Sequence, residues 1–188
     1  MRVYNFAAGP STLPLNVLKK AQEEFLDFSG TGMSVTEISH RDKAYDAIVK
    51  DAEKLVRELL NVPDDYCVIF VQGGASTQFA AVPLNLMHGG KADYIVTGNF
   101  AKKAWQEGQI YGDAVKIGDS SDKVYTYIPD VDKLNYSENA DYVHITSNNT
   151  IFGSRYSKFP ECKAPIVADM SSEIFSREID VGKFGVIY

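Results

Sequence analysis

The chain has 188 residues, 45% of them hydrophobic and 23% charged, the make-up of an ordinary globular protein with one sizeable core. A formal net charge of −6 without a lysine–arginine cluster speaks against a nucleic-acid surface, and no apolar stretch nears the ~20 residues of a membrane span. The N-terminus lacks the apolar core of a signal peptide, and Cys67 and Cys162 match no metal spacing, so reduced thiols in a cytoplasmic protein are expected.

Residues 1–14 contain Gly9-Pro10 and Pro14 and read as an extended arm. Pro14 suits the first position of a helix over 15–28, with Val17, Leu18, Ala21, Phe25 and Leu26 as its apolar stripe. Ser29-Gly30-Thr31-Gly32 stops it. After a polar stretch comes the clearest helix, 42–60, in which Tyr45, Ile48, Val49, Ala52, Leu55, Val56 and Leu59 recur at three- and four-residue steps. A turn at 61–65 then leads into Tyr66-Cys67-Val68-Ile69-Phe70-Val71, short, apolar and β-branched, which predicts a buried central strand with Cys67 in the core.

The apolar run breaks into Gln72-Gly73-Gly74-Ala75-Ser76-Thr77 and restarts as a helix over 79–87. Strand, small-residue turn and helix start make a ready anion site: the first helical amides lack internal partners, and the helix dipole adds about half a positive charge. The glycines let the backbone approach a ligand, and the Ser76 and Thr77 hydroxyls can donate to phosphate oxygens. Taken alone, the same pattern also describes a merely structural turn.

Strands are expected at 92–97, 114–117, 142–146 and 165–168, with an amphipathic helix at 99–111 and a helical turn near 129–134. Phe184-Gly185-Val186-Ile187-Tyr188 reads as one more buried strand, and a chain stopping on it is expected to be a fragment of a longer protein. Alternating strand and helix predicts an α/β fold, a mainly parallel sheet flanked by helices. Ligands in such folds collect at the carboxyl ends of the strands, here 73–77, 97–100, 147–150 and Asp169.

Asp169 follows Ile166-Val167-Ala168 directly. It is either the cap of a following helix or a buried carboxylate awaiting a cation, such as a protonated pyridine nitrogen. A phosphate cup and a carboxylate on one rim would hold the two ends of pyridoxal phosphate. Thr150 could donate a hydroxyl to such a ring, or be a loop threonine. Phe100 could cover a ring face, or be core. Arg41 is a natural bidentate partner of a carboxylate, and His40 beside it can donate to a phosphate, unless the two are a solvated pair at a helix entrance. His88 and His144 read as structural or surface, and no metal-binding set is expected.

Five stretches carry a resemblance along essentially the whole chain: Asn5-Phe6-Ala7-Ala8-Gly9-Pro10, Glu37-Ile38-Ser39-His40-Arg41, the run from Gln72 to Asn85, Ser147-Asn148-Asn149-Thr150-Ile151-Phe152-Gly153, and the run from Ala168 to Arg177. In that order they resemble the N-terminal half of the phosphoserine aminotransferases, class V enzymes of fold type I that depend on pyridoxal phosphate. The resemblance implies an arm at 1–14 and an incomplete cofactor-binding large domain at 15–188. It further implies that Ala75 and Ser76 bind the cofactor phosphate, that Thr150 hydrogen-bonds the cofactor, and that Asp169 pairs with its ring nitrogen. Arg41 would clamp a substrate carboxylate, His40 would help read a substrate phosphate, and the backbone near Ala8 would lie beside the carboxylate.

Two departures stand out. Where the family stacks a tryptophan, the aligned residue is Phe100, a loss on the order of 1 kcal/mol of grip. The Schiff-base lysine and the small C-terminal domain lie beyond Tyr188, so the chain alone is expected to be inactive. For the parent, the resemblance implies a homodimer that moves an amino group between L-glutamate and a phosphorylated 2-oxo acid, 3-phosphohydroxypyruvate. The rivals are another class V aminotransferase or desulfurase, and a non-catalytic dimerising module.

Overall fold

The structure is a computed structural model, and it describes residues 2–188. The chain forms two compact units, one ending at Leu59 and one spanning Leu60–Tyr188. In the first, helix α1 covers Leu15–Glu23 and α2 covers Lys43–Leu60. Asp42 sets the start of α2, its Oδ1 accepting from Ala44 N at 2.8 Å. Ion pairs one turn apart, Lys50–Asp46, Arg57–Glu53 and Lys54–Glu58, run along its polar side.

Helix α1 ends well before the expected Phe28. Asp27 Oδ1 accepts from Gly32 N at 2.7 Å and Phe28 N donates to Met33 O at 2.9 Å, closing a turn in which Ser29, Gly30 and Gly32 take positive φ. That local closure outcompetes another helical turn. The apolar stripe of α1 buries nothing, and Phe25 and Leu26 beyond it are exposed.

In the second unit the expected central strand is not one. Residues 67–71 take no regular secondary structure and have no ladder partner among the described residues, and Ile69, Phe70 and Val71 are 74%, 58% and 63% exposed. Cys67 is likewise exposed rather than a core thiol. An apolar run registers a preference for burial, but a strand also needs a neighbour to take its amides and carbonyls.

The remaining elements follow the expected order: α3 (Ala75–Leu86), β1 (Lys91–Val96), α4 (Asn99–Tyr111), β2 (Asp113–Asp119), β3 (Val143–Thr146), β4 (Ile166–Asp169) and β5 (Val186–Ile187). The five strands form one sheet in the order β2-β1-β3-β4-β5, every neighbouring pair parallel. Side-chain alternation then assigns two faces. Ala92, Tyr94, Tyr142 and Val167 pack with Phe79 and Val82 of α3 and Ala104 of α4. Ile95, Val143, Ile145, Ile166 and Ala168 pack on the other face with Val131, Tyr156, Met170 and Phe184. Burial of each large apolar side chain contributes about 1.5–3 kcal/mol, so both faces must be covered. No helix of the described residues is long and apolar enough to cross a membrane.

Candidate active site

Because β1, β3 and β4 are parallel, their carboxyl ends share one edge of the sheet. Thr97, Ser147 and Asp169 stand there, each nearly sealed from solvent. Asp169 pairs with Thr146 across the β3–β4 ladder. It lies two residues past Val167, so its side chain projects on the face that α3 and α4 cover.

Ser171 donates to Asp169 Oδ1 twice, from its N at 3.0 Å and its Oγ at 2.6 Å. The carboxylate thus caps a turn at 171–175, not a helix. Both bonds fall on Oδ1, and among the described residues no hydrogen bond reaches Oδ2.

The glycine loop lies in the same unit. Gly73 and Gly74 have φ of 116° and 75°, and α3 starts immediately after, at Ala75. Among the described residues no side chain caps that start. Thr77 turns inward, its N bonded to Gly74 O at 3.1 Å and its Oγ1 donating to Gly73 O at 3.2 Å. The Thr77 hydroxyl is therefore committed to the turn, contrary to the expectation that it points at an anion. The amides of Ala75 and Ser76 and the exposed Ser76 hydroxyl are the donors left over.

Sidedness links this cup to the carboxylate. Ala75 packs against the apolar cluster that holds Val167 and Tyr188. The Phe79 ring meets Tyr188 edge-on with centroids 6.4 Å apart. Tyr188 in turn lies beside Asp169: its N donates to Ala168 O at 3.0 Å, and its carbonyl accepts from Met170 N at 2.7 Å. Its hydroxyl pKa is driven far up, by burial first and then by the Asp169 charge. Helix start and carboxylate accordingly flank one patch of the sheet.

Thr150 sits in the exposed loop after β3 and donates to Ser172 Oγ at 2.9 Å, in the loop after β4. Ser172 Oγ donates on to Asn148 Oδ1 at 3.1 Å. Phe100, in the first turn of α4, is 36% exposed, with Lys103 Nζ 5.8 Å from its ring centre. Ala8, His40 and Arg41 belong to the first unit, and all three are exposed. The Arg41 guanidinium has no ion pair among the described residues, and its amide donates to Ser39 Oγ at 3.3 Å.

Sequence reasoning singled out neither Asn149 nor Ser171. Asn149 is buried between the β1 and β3 exits, its Nδ2 donating to Thr97 O at 2.7 Å. Ser171 fixes Asp169, though a serine two residues past an aspartate is a readable turn signal. His144, read as structural or surface, is the structural one: it is buried, stacks on Tyr94, and its Nε2 shares a 2.7 Å hydrogen bond with Tyr188 Oη.

Comparison with known proteins bears on the family and the fold. The profile of the aminotransferase class-V family matches residues 3–188. A phosphoserine aminotransferase of Desulfosudis oleivorans is 55% identical over 190 residues, covering all of this chain and 52% of that protein. A solved phosphoserine aminotransferase structure that records radiation damage at its Schiff base superimposes with a TM-score of 0.96 at 46% identity, over 99% of this chain and 52% of that one. The phosphoserine aminotransferase of Trichomonas vaginalis, solved with pyridoxal phosphate bound, gives a TM-score of 0.92 at 36% identity, over 99% of this chain and 53% of its own. The chain spans about half the length of the curated relatives it matches.

Proposed function

This chain belongs to the aminotransferase class-V family, and we propose that it is the N-terminal part of a phosphoserine aminotransferase that binds pyridoxal phosphate. What supports this reading best is a shared side of the sheet: Ala75, at the uncapped start of α3, packs against the cluster that holds Val167, and Asp169 lies two residues past Val167 with its printed bonds on Oδ1 alone. That donor and acceptor set fits a ligand with a dianionic end and a protonated heteroaromatic end.

Ala75 N, Ser76 N and the Ser76 hydroxyl bind the phosphate. Asp169 Oδ2 accepts from the ring nitrogen and keeps its proton in place, because an anion in a nearly dry site stabilises that cation strongly. Bound there, pyridoxal phosphate supplies an electron sink for the pair released when a substrate α-proton leaves. Phe100 covers a ring face and Thr150 hydrogen-bonds the cofactor. Arg41 holds the substrate α-carboxylate through two parallel N–H bonds, His40 reads the substrate phosphate, and the backbone near Ala8 lies beside the carboxylate.

The reaction is amino transfer between L-glutamate and 3-phosphohydroxypyruvate, giving O-phospho-L-serine and 2-oxoglutarate in serine biosynthesis. A phosphorylated hydroxythreonine of the vitamin B6 route is a second substrate. The protein works in the cytoplasm as a homodimer. The test is turnover of the protein expressed to the natural end of its reading frame, with phosphohydroxypyruvate against pyruvate and glyoxylate. A preference of about a hundredfold or more for the phosphorylated acid is expected, since a site built for a phosphate is left unpaired by its absence. Equal turnover points to another class V enzyme, and no turnover with cofactor present overturns the reading.

A further inference from the structure

We propose that Asn149 is a positioning residue that holds Thr150 and Phe100 in one frame, and through them fixes the cofactor ring. The proposal rests on reading the rim as a pyridoxal phosphate site. Asn149 is 3% exposed, and every polar group it carries is used. Its Nδ2 donates to Thr97 O at 2.7 Å, a buried bond spanning 52 residues of sequence. Its Oδ1 accepts from Ile151 N at 3.3 Å and Phe152 N at 3.2 Å, so the side chain reaches over Thr150 and fixes the backbone beyond it. Its own N donates to Ser154 O and its O accepts from Gly153 N, both at 2.8 Å.

One side chain therefore closes the loop that bears Thr150 and ties that loop to the exit of β1. Phe100 follows Thr97 by only Gly98 and Asn99, so the carbonyl that Asn149 grips lies at the root of the segment presenting Phe100. Gly98 is part of the same device. Its φ of 172° is ordinary extended backbone, but a Cβ there would stand 2.6 Å from Asn149 Nδ2. The glycine is needed for space, and the space is what Asn149 fills. Asn149 touches no reacting atom in this scheme. Its role is to remove freedom from two side chains that do touch the ligand, as preorganised sites require.

The test is a double-mutant cycle on the protein expressed to its natural end, read as the pyridoxal phosphate dissociation constant by equilibrium dialysis and as the visible circular dichroism of the bound cofactor. N149D keeps the acceptor for Ile151 and Phe152 but sets a carboxylate oxygen against Thr97 O. Affinity is expected to fall about tenfold and the dichroic band to change, consistent with one buried hydrogen bond. In a T150A/F100A background the same substitution should cost less than about threefold, because its effect runs through those side chains. Equal loss in both backgrounds would mean a purely structural asparagine and would overturn the proposal. If N149D does not fold, G98A displaces the same bond from the other side and carries the same two expectations. Failure of the unmodified protein to bind pyridoxal phosphate would instead overturn the functional reading.

Discussion

Tyr188 Oη and His144 Nε2 share a 2.7 Å hydrogen bond inside the sheet, with the Tyr94 ring stacked 5.1 Å from the imidazole centre. Burial pulls the His144 pKa from 6.5 down to about 3, so the ring is neutral in the folded protein. Unfolded, it titrates near 6.5. Between those two values the unfolded chain binds a proton that the folded chain refuses. The stability this group contributes is therefore present above pH 6.5 and lost as pH falls towards 3. Between pH 7 and pH 5 the loss should be about 2 kcal/mol, measured as the change in urea unfolding free energy. H144Q should remove most of that dependence, and an unchanged pH slope in H144Q would show that other groups carry it.

Glu173 joins the two loops that carry Thr150 and Asp169. Its side chain is 2% exposed, with Arg177 Nε 2.8 Å and Arg155 Nε 3.8 Å from Oε1. Arg177 also donates from its guanidinium to Tyr156 O at 3.0 Å. E173A should destabilise the protein by about 3 kcal/mol, since it leaves a partly buried guanidinium without its anion. E173A/R177M should cost less than the two single changes summed, and strict additivity in chemical denaturation would contradict the coupling.

Gly73 is held at φ 116°, and a Cβ there would lie 2.6 Å from Thr77 Oγ1. G73A should cost about 1–3 kcal/mol and tilt the amides at the start of α3. The readout is the ratio of affinities for pyridoxal phosphate and unphosphorylated pyridoxal, which G73A should narrow about tenfold. G90A makes the control, because Gly90 also has positive φ, 80°, but lies outside the loop. It should lose stability and keep the ratio.

Ile69 and Val71 lie in an unladdered segment and are exposed to solvent. In residues 1–188, I69K and V71K should reduce binding of the dye ANS and raise solubility while changing unfolding free energy by less than about 0.5 kcal/mol. A loss of 2 kcal/mol or more would mean that these side chains are packed.

The parallel strands were legible because each carries its own signal: β1, β3 and β4 are short β-branched runs ending at polar residues. The clusters on the rim followed from that parallel order. What could not be read depends on partners distant in sequence. Residues 67–71 look like a strand in composition, but only the register of a neighbour decides whether their amides are taken. His144 sits at an inward position that alternation could assign, yet its bond to Tyr188 joins residues 44 apart. Asn149 and Asn148 are alike as letters, and only the Thr97 carbonyl distinguishes the buried one from its neighbour. Thr77 shows the converse: the motif promised a ligand-facing hydroxyl, and the nearest carbonyl, at Gly73, took it.

The direct test is a crystal structure of the protein grown with pyridoxal phosphate. The phosphate is expected on the Ala75 and Ser76 amides and the ring nitrogen about 2.7–3.0 Å from Asp169 Oδ2. A phosphate bound away from the start of α3, or a ring nitrogen facing water with Asp169 bonded only to Ser171, would contradict it.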